Sequence, residues 1–441
     1  MSLPLAWYGD DFTGASDTLA TLAGSGLRAV LFPRVPTAAQ IERAGSLDAL
    51  GVAGIARALP PDQILAEVQP VAKLFSALNP EITHYKCCST FDSTPDIGNL
   101  AAGLSALRSP RHGPVTVVIG GQPSLGRYCA FSELYATASE GGEVHRIDRH
   151  PTMSRHPVTP MYEADLRRHL KAQGLDPVLA VDLRELHSLD DARLASVFDA
   201  RLKANPAAIL FDAVRSEDLT RIGQLLWREA ARHPLLTLGA SSVAQALIAR
   251  WPSSSLLSVS GVIRPAKGPV FLLAGSLSPV TAAQLSEADE AYEKVFFDAA
   301  SLVGSDATLA QIASDCAAML RQGLPVIARP TTDVGPAAPP MAVAEACGRL
   351  LARVLTLSPE VRRVGVAGGD TSSFALRKLS PRALRWSGSL APGVPLLLID
   401  ADNPEIDGIE LMLKGGQMGP KDVFLRLLRG SALSSSHIGT I

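Results

Sequence analysis

Asp10 and Asp11 stand side by side at the end of an apolar run, in the stretch WYGDDFTGASD (residues 7–17). Adjacent acids repel unless something uses them. Successive residues at a strand end face opposite sides, so the two are expected to do different jobs. One job is helix capping: Asp11 or Thr13 would accept amide bonds at a helix start, with Asp17 favourable in its first turn. Capping needs only one of these acids, which leaves a carboxylate for hydroxyl groups of a ligand.

A second cluster is KCCSTFDSTPDIGN (residues 86–99), where Lys86, Ser89, Thr90, Asp92, Ser93 and Thr94 crowd a cation, hydroxyls and a carboxylate together. That mixture suits a small polyhydroxylated anion: the hydroxyls and Asp92 bond sugar OH groups and Lys86 neutralises a carboxylate. The plainer alternative is a Ser/Thr/Pro turn whose side chains only satisfy backbone. IGGQPSLGRY (119–128) adds Gln122, Ser124 and Arg127 after another strand. DRHPTMSRHPVTPM (148–161) packs Arg149, His150, Arg155 and His156 into one proline-broken loop. Its spacing does not support a zinc site, and positive charge aimed at an anion is the better reading.

The C-terminal half carries different chemistry. LLAGSLSPVTAAQL reads as strand, turn and helix, with Ser276 and Ser278 beside the helix start. VGVAGGDTSSFAL repeats the pattern with Gly368, Gly369, Asp370, Thr371 and Ser372, and LMLKGGQMGPKDVF places Lys414 and Gly415 after a last strand. Glycines there let backbone amides approach phosphate oxygens, and a helix N-terminus favours the negative charge. None of the three matches the P-loop or the dinucleotide G-x-G-x-x-G spacing. Together in one half they favour phosphate binding over mere turn chemistry.

The elements that must position these clusters are short apolar runs alternating with amphipathic segments. LPLAWYG, RAVLFP, ALGVAG, THYKCC, PVTVVIGG, VLAVDL, AAILFDA and PLLTLGA read as strands, and PVFLLAGS begins a second series near residue 269. Buried strands separated by helices imply an α/β fold of two domains, each a mainly parallel sheet with helices on both faces. WPSSSLLSVSGVIRPAKGP, rich in Ser, Gly and Pro, reads as the linker, giving domains over residues 1–255 and 266–441. RPTTDVGPAAPP (329–340) reads as a long loop and GSALSSSHIGTI as a poorly ordered tail. No internal repeat is visible. In open α/β sheets ligands bind beyond the carboxyl ends of the strands, where the polar clusters fall.

Composition narrows the function classes. A chain of 441 residues exceeds one ordinary core, and a net charge of −2 gives no reason to expect nucleic acid or an acidic membrane as partner. Five cysteines without C-x-x-C spacing read as reduced thiols of a cytoplasmic protein. The N-terminus lacks a signal-peptide pattern, no apolar run is long enough to span a membrane, and a homo-oligomer stays open.

GDDFTGASD, KCCSTFDSTPDIGN, GSLSPVTAAQ, GGDTS and KGGQMG, in this order, resemble the four-carbon acid sugar kinase family, over residues 8 to about 425. The CSTFDSTP form is similar to the branch acting on 3-oxo-isoapionate. The resemblance implies an N-terminal acid-sugar domain, a C-terminal nucleotide domain, and ATP as phosphoryl donor with Mg²⁺ offsetting phosphate charge. Asp10, Asp11, Arg57, Lys86, Asp92, Ser93 and Gln122 would form the acid-sugar pocket, with Asp11 or Asp92 as proton acceptor and Lys86 beside them. Ser276, Gly368, Gly369, Asp370, Thr371 and Gly415 would contact ATP, with Lys414 near the phosphates. No residue is assigned to a resident metal. Two other readings are a nicotinamide-dependent oxidoreductase of acid sugars, disfavoured by the missing dinucleotide fingerprint, and a non-catalytic sensor of acid sugar and nucleotide.

Overall fold

The computed structural model describes residues 3–138, 141–156, 158–251, 262–276, 278–331 and 338–431. The chain forms two compact units, Met1–Ser258 and Val259–Ile441. The linker reading and the reading of the tail fall largely outside the described residues, as does the middle of the 329–340 loop.

In the N-terminal unit the strands are β1 (Leu5–Gly9), β2 (Ala29–Phe32), β3 (Ala49–Ala53), β4 (Ile82–Lys86), β5 (Thr116–Ile119), β6 (Arg127–Ala130), β7 (Glu133–Thr137), β8 (Val144–Arg146), β9 (Val178–Val181), β10 (Ala208–Phe211) and β11 (Leu235–Gly239). Its main sheet is parallel and runs β2-β3-β1-β4-β11-β5-β10-β9. Every residue of β1 to β5 is buried, which is why these strands read as unbroken apolar runs rather than alternating ones. The chain leaves β1 toward one edge of the sheet and β4 toward the other. With right-handed crossovers, that reversal puts helices on both faces and opens a crevice at the carboxyl ends of β1 and β4. Gly9 of β1 is paired with Ala53 on one side and Lys86 on the other, so the two acids and the lysine emerge together.

β6, β7 and β8 form a separate antiparallel sheet that the apolar pattern does not announce. The turn between β6 and β7 is Phe131-Ser132, both at positive φ (54° and 71°), where such a turn usually carries Asn-Gly. The buried Asp212 at the end of β10 holds it, accepting from Phe131 N–H at 2.6 Å and Ser132 N–H at 2.8 Å. Burial pushes the Asp212 carboxyl up, against those amide bonds.

The C-terminal unit contains β12 (Val270–Ala274), β13 (Glu293–Phe297), β14 (Val326–Pro330), β15 (Arg363–Ala367), β16 (Ala383–Ala391), β17 (Val394–Asp400) and β18 (Glu410–Lys414). The order is β13-β14-β12-β15-β18-β17-β16, parallel from β13 to β18 and antiparallel beyond. β16 is absent from the sequence reading because register shifts at Trp386/Gly388 and Ser389/Ala391 break its alternation. The opening order β13-β14-β12-β15 copies β2-β3-β1-β4, so this unit has its own crevice between β12 and β15. Among the described residues no helix is long and apolar enough to cross a membrane.

Candidate active site

Asp11, two residues past β1, caps the helix Phe12–Gly24, accepting from Gly14 N–H at 2.7 Å and Thr13 Oγ1 at 2.5 Å. Capping is only half of its work. Arg57, in the turn after β3, donates from Nη1 to Asp11 Oδ2 at 3.0 Å and from Nη2 to Asp10 Oδ1 at 2.7 Å. The Arg57 amide also donates to the Asp10 carbonyl at 3.1 Å, which fixes the fork against the strand end.

Lys86 ends β4, is 3% exposed and donates from Nζ to Cys87 O at 2.6 Å. No carboxylate among the described residues lies within ion-pair distance of it. A Cβ on Gly14 would stand 2.5 Å from Asp11 Oδ1 and 2.8 Å from Lys86 Nζ, so this glycine lets the helix start meet both groups.

The electrostatics separate the two acids. Burial, with Asp11 adding to it, pushes Asp10 up to about 6 in spite of Arg57. Burial also raises Asp11, but Arg57 and then Lys86 outweigh it and hold that carboxyl below its ordinary range. Asp11 therefore stays ionised and fully bonded. Asp10 is the more basic of the pair, and its second oxygen makes no hydrogen bond to the described residues.

The loop after β4 contributes unequally. Asp92 accepts from Thr90 Oγ1 at 2.5 Å and Thr159 Oγ1 at 3.5 Å, and lies within electrostatic reach of Arg57. Ser93 is turned away: its hydroxyl donates to Phe91 O at 2.9 Å, lies 2.8 Å from His169 Nε2 and accepts from Gln173 Nε2 at 2.8 Å. His169 and Gln173 thus hold this loop, and nothing in their sequence context marks them. Gln122, buried after β5, donates from Nε2 to Asp17 Oδ2 at 3.2 Å. In the 148–161 loop the histidines serve turns. His150 Nδ1 accepts from the Thr152 and Met153 amides and His156 Nδ1 from the Thr159 amide, while Arg149 and Arg155 are exposed.

At the β12/β15 crevice the glycine turn and the serines meet. Ser276 N–H donates to Ala367 O at 3.0 Å, and Gly368 N–H donates to Lys414 O at 2.8 Å. Gly368 sits at φ 128°, and a Cβ there would press on Thr371 Oγ1 and Ser276 N at 3.1 and 3.2 Å. Gly369 opens the helix Gly369–Leu379, and a Cβ on it would meet nothing within 4 Å among the described residues outside its own helix start. Asp370 is exposed, with no ion-pair partner among the described residues.

Lys414 is fully buried; its Nζ donates to Thr281 Oγ1 at 3.2 Å and Gly415 O at 3.0 Å, and burial pulls its pKa down to about 7. The loop it starts is clasped from the helix Pro279–Glu287. The capping residue Ser278 donates to Gly416 O at 2.5 Å, as does Thr281 at 3.1 Å. Gln284 Nε2 shares its two N–H groups among the Met418, Gly419 and Pro420 carbonyls at 3.0, 2.8 and 3.1 Å. Thr281 and Gln284 were missed in the sequence. Their signal is polar residues three apart, in step with Ser278, on an otherwise apolar helix start.

The sequence matches the Sugar-binding N-terminal domain over residues 5–247 and the Nucleotide-binding C-terminal domain over residues 271–424. The chain belongs to the four-carbon acid sugar kinase family. It is a phosphotransferase with an alcohol group as acceptor and uses ATP. It is similar to the 3-oxo-isoapionate kinase of Paraburkholderia graminis, at 34% identity over 96% of this chain and 93% of that one. It also resembles the 3-oxo-tetronate kinase of Methylobacterium radiotolerans, at 31% identity over 97% of this chain and 99% of that one. The fold is shared with the crystal structure described as "the putative tRNA synthase from Salmonella typhimurium LT2" (TM-score 0.77, 24% identity, 97% of this chain and 99% of that chain). A second, Haemophilus influenzae protein HI1011, gives a TM-score of 0.70 at 23% identity, over 96% of this chain and 98% of that chain.

Proposed function

We propose that this kinase transfers the γ-phosphoryl group of ATP to a hydroxyl of a small 3-oxo acid sugar, of the 3-oxo-isoapionate or 3-oxo-tetronate class. The observation that carries the reading is the buried Asp10–Arg57–Asp11 cluster with Lys86 beside it. Buried charges are costly unless matched, and this set offers acceptors for sugar hydroxyls next to a cation for an anionic ligand.

Asp10 is the better proton acceptor for the attacking hydroxyl: it has a free oxygen and a carboxyl raised to about 6. Asp11 and Arg57 orient it, and Asp92 takes another hydroxyl. A positioned base contributes ~10²–10⁴-fold, and alignment with charge neutralisation supplies the rest. Ser93 supports the site through the loop rather than by touching the sugar. Gln122 stays a substrate contact through its free oxygen.

For ATP, the amides at the start of the helix Gly369–Leu379, with Ser276, Gly368, Thr371 and Gly415, form the phosphate cradle. Lys414 holds the start of the 415–420 loop. Mg²⁺ would arrive with ATP, and Asp370, the exposed unpaired carboxylate of the turn, fits it; bound, the ion offsets phosphate charge. Residues 1–255 would then be the sugar domain and 266–441 the nucleotide domain. Free cysteines accord with a cytoplasmic location, and a homo-oligomer is compatible with the reading.

ADP release measured over a panel of 3-oxo acid sugars and tetronates tests this. A 3-oxo acid should give stoichiometric ADP and a phosphomonoester. Release independent of every acid in the panel would defeat the reading.

A further inference from the structure

Arg127 opens β6, is 9% exposed, and no carboxylate among the described residues lies within ion-pair distance of it. Arg363, the other buried arginine among the described residues, has Glu410 Oε2 at 2.6 Å. Arg127 donates from Nη1 to Leu125 O, while its buried Nε has no partner among the described residues. Burying an unmatched guanidinium is unfavourable, so an anion is expected at this place.

Its neighbour is incomplete in the complementary sense. Gln122 and Arg127 are tied by reciprocal backbone bonds of 2.8 and 3.2 Å, and Gln122 Oε1 is buried without a donor among the described residues. The acceptor Asp17 fixes the amide orientation, since only Nε2 can donate to it. Asp17 belongs to the helix capped by Asp11, and Cys88, two residues past Lys86, lies within electrostatic reach of both Arg57 and Arg127. The unmatched pair therefore adjoins the acid–arginine cluster.

We propose that Arg127 seats the carboxylate of the acid sugar in its planar fork, with Gln122 Oε1 accepting from a neighbouring hydroxyl. This rests on the acid-sugar reading above and reassigns the carboxylate from Lys86. A guanidinium matches a planar carboxylate in two parallel bonds, whereas an ammonium is a point charge suited to the phosphoryl end. Lys86, beside Asp11, is left for that end.

The test compares a turned-over 3-oxo acid sugar with its neutral primary amide, by ADP release on the full chain. Arg127→Met should raise KM for the acid roughly tenfold to a hundredfold, the range of a charge-assisted bond. KM for the amide and for ATP should stay within about twofold. Arg127→Lys should recover part of the loss. An equal rise for acid and amide would mean a structural role, and an unchanged acid KM would also overturn the proposal. Should Arg127→Met fail to fold, Lys86→Met decides. There the preference for acid over amide should persist, and its disappearance would return the carboxylate to Lys86. Failure of every acid sugar to be phosphorylated would instead defeat the functional reading itself.

Discussion

Arg57 Nη2 lies 2.7 Å from Asp10 Oδ1, yet that carboxyl is pushed up to about 6. Burial outweighs the ion pair because Arg57 is shared: the same nitrogen stands 2.9 Å from Asp11 Oδ1. Lys86 adds its charge mainly to Asp11, so Asp10 is left under-compensated, which is how a proton acceptor can be kept poised near neutral pH.

That imbalance has a stability consequence. The folded Asp10 carboxyl, raised from 3.8 to about 6, binds protons that the unfolded one has released. Its contribution to stability is thus fully present below about 3.8 and is lost as pH rises through 6. Asp10→Asn removes the penalty, so its Tm relative to wild type should become more favourable between pH 4 and pH 7.5. A difference that moves the other way in thermal scans would mean that Arg57 over-compensates Asp10.

Gly14 and Gly369 separate fold from ligand. Gly14→Ala puts a methyl 2.5 Å from Asp11 Oδ1 and should weaken acid-sugar binding with ATP affinity intact. The Cβ of Gly369→Val has open space around it among the described residues, so the fold should tolerate the change. Its expected effect is a rise in KM for ATP of about tenfold or more, because the side chain blocks backbone approach to phosphate. Titration calorimetry with each ligand checks both, and a sugar defect in Gly369→Val would contradict the assignment of the two crevices.

Gln284 holds three carbonyls of the loop after β18 through one amide nitrogen. Gln284→Leu leaves them without that donor and should cost about 1–3 kcal/mol of stability. It should also raise KM for ATP while leaving acid-sugar affinity alone. Gln284→Glu, which faces the carbonyls with further acceptors, should be worse than Leu. Equal ATP kinetics in both variants would separate the loop from the nucleotide.

The sequence made visible what depends on local pattern. Buried runs such as Leu5–Gly9 and Thr116–Ile119 announce their strands, and Asp10, Asp11 and Lys86 announce themselves at strand ends. What depended on distant partners was hidden. The Phe131-Ser132 turn is held by Asp212, about eighty positions away, and β16 is bent by its bulges. Asp11 was an open choice between cap and ligand, and the geometry gives it both a cap and an ion pair. Ser93 has the right type and place for a sugar contact but is consumed by His169 and Gln173. The missing partner of Arg127 is a property of space that no spacing encodes.

The most direct measurement is acid-sugar-dependent ADP release by wild type, Asp10→Asn and Asp11→Asn, with Tm recorded for each at pH 7.5. Asp10→Asn is expected to lower kcat at least about a hundredfold, the low end for losing a proton acceptor, with no loss of Tm. Asp11→Asn keeps one oxygen for the Gly14 amide and should retain more turnover than Asp10→Asn. Near-wild-type turnover in Asp10→Asn would contradict the account, because the under-compensated carboxylate would then take no part in the transfer.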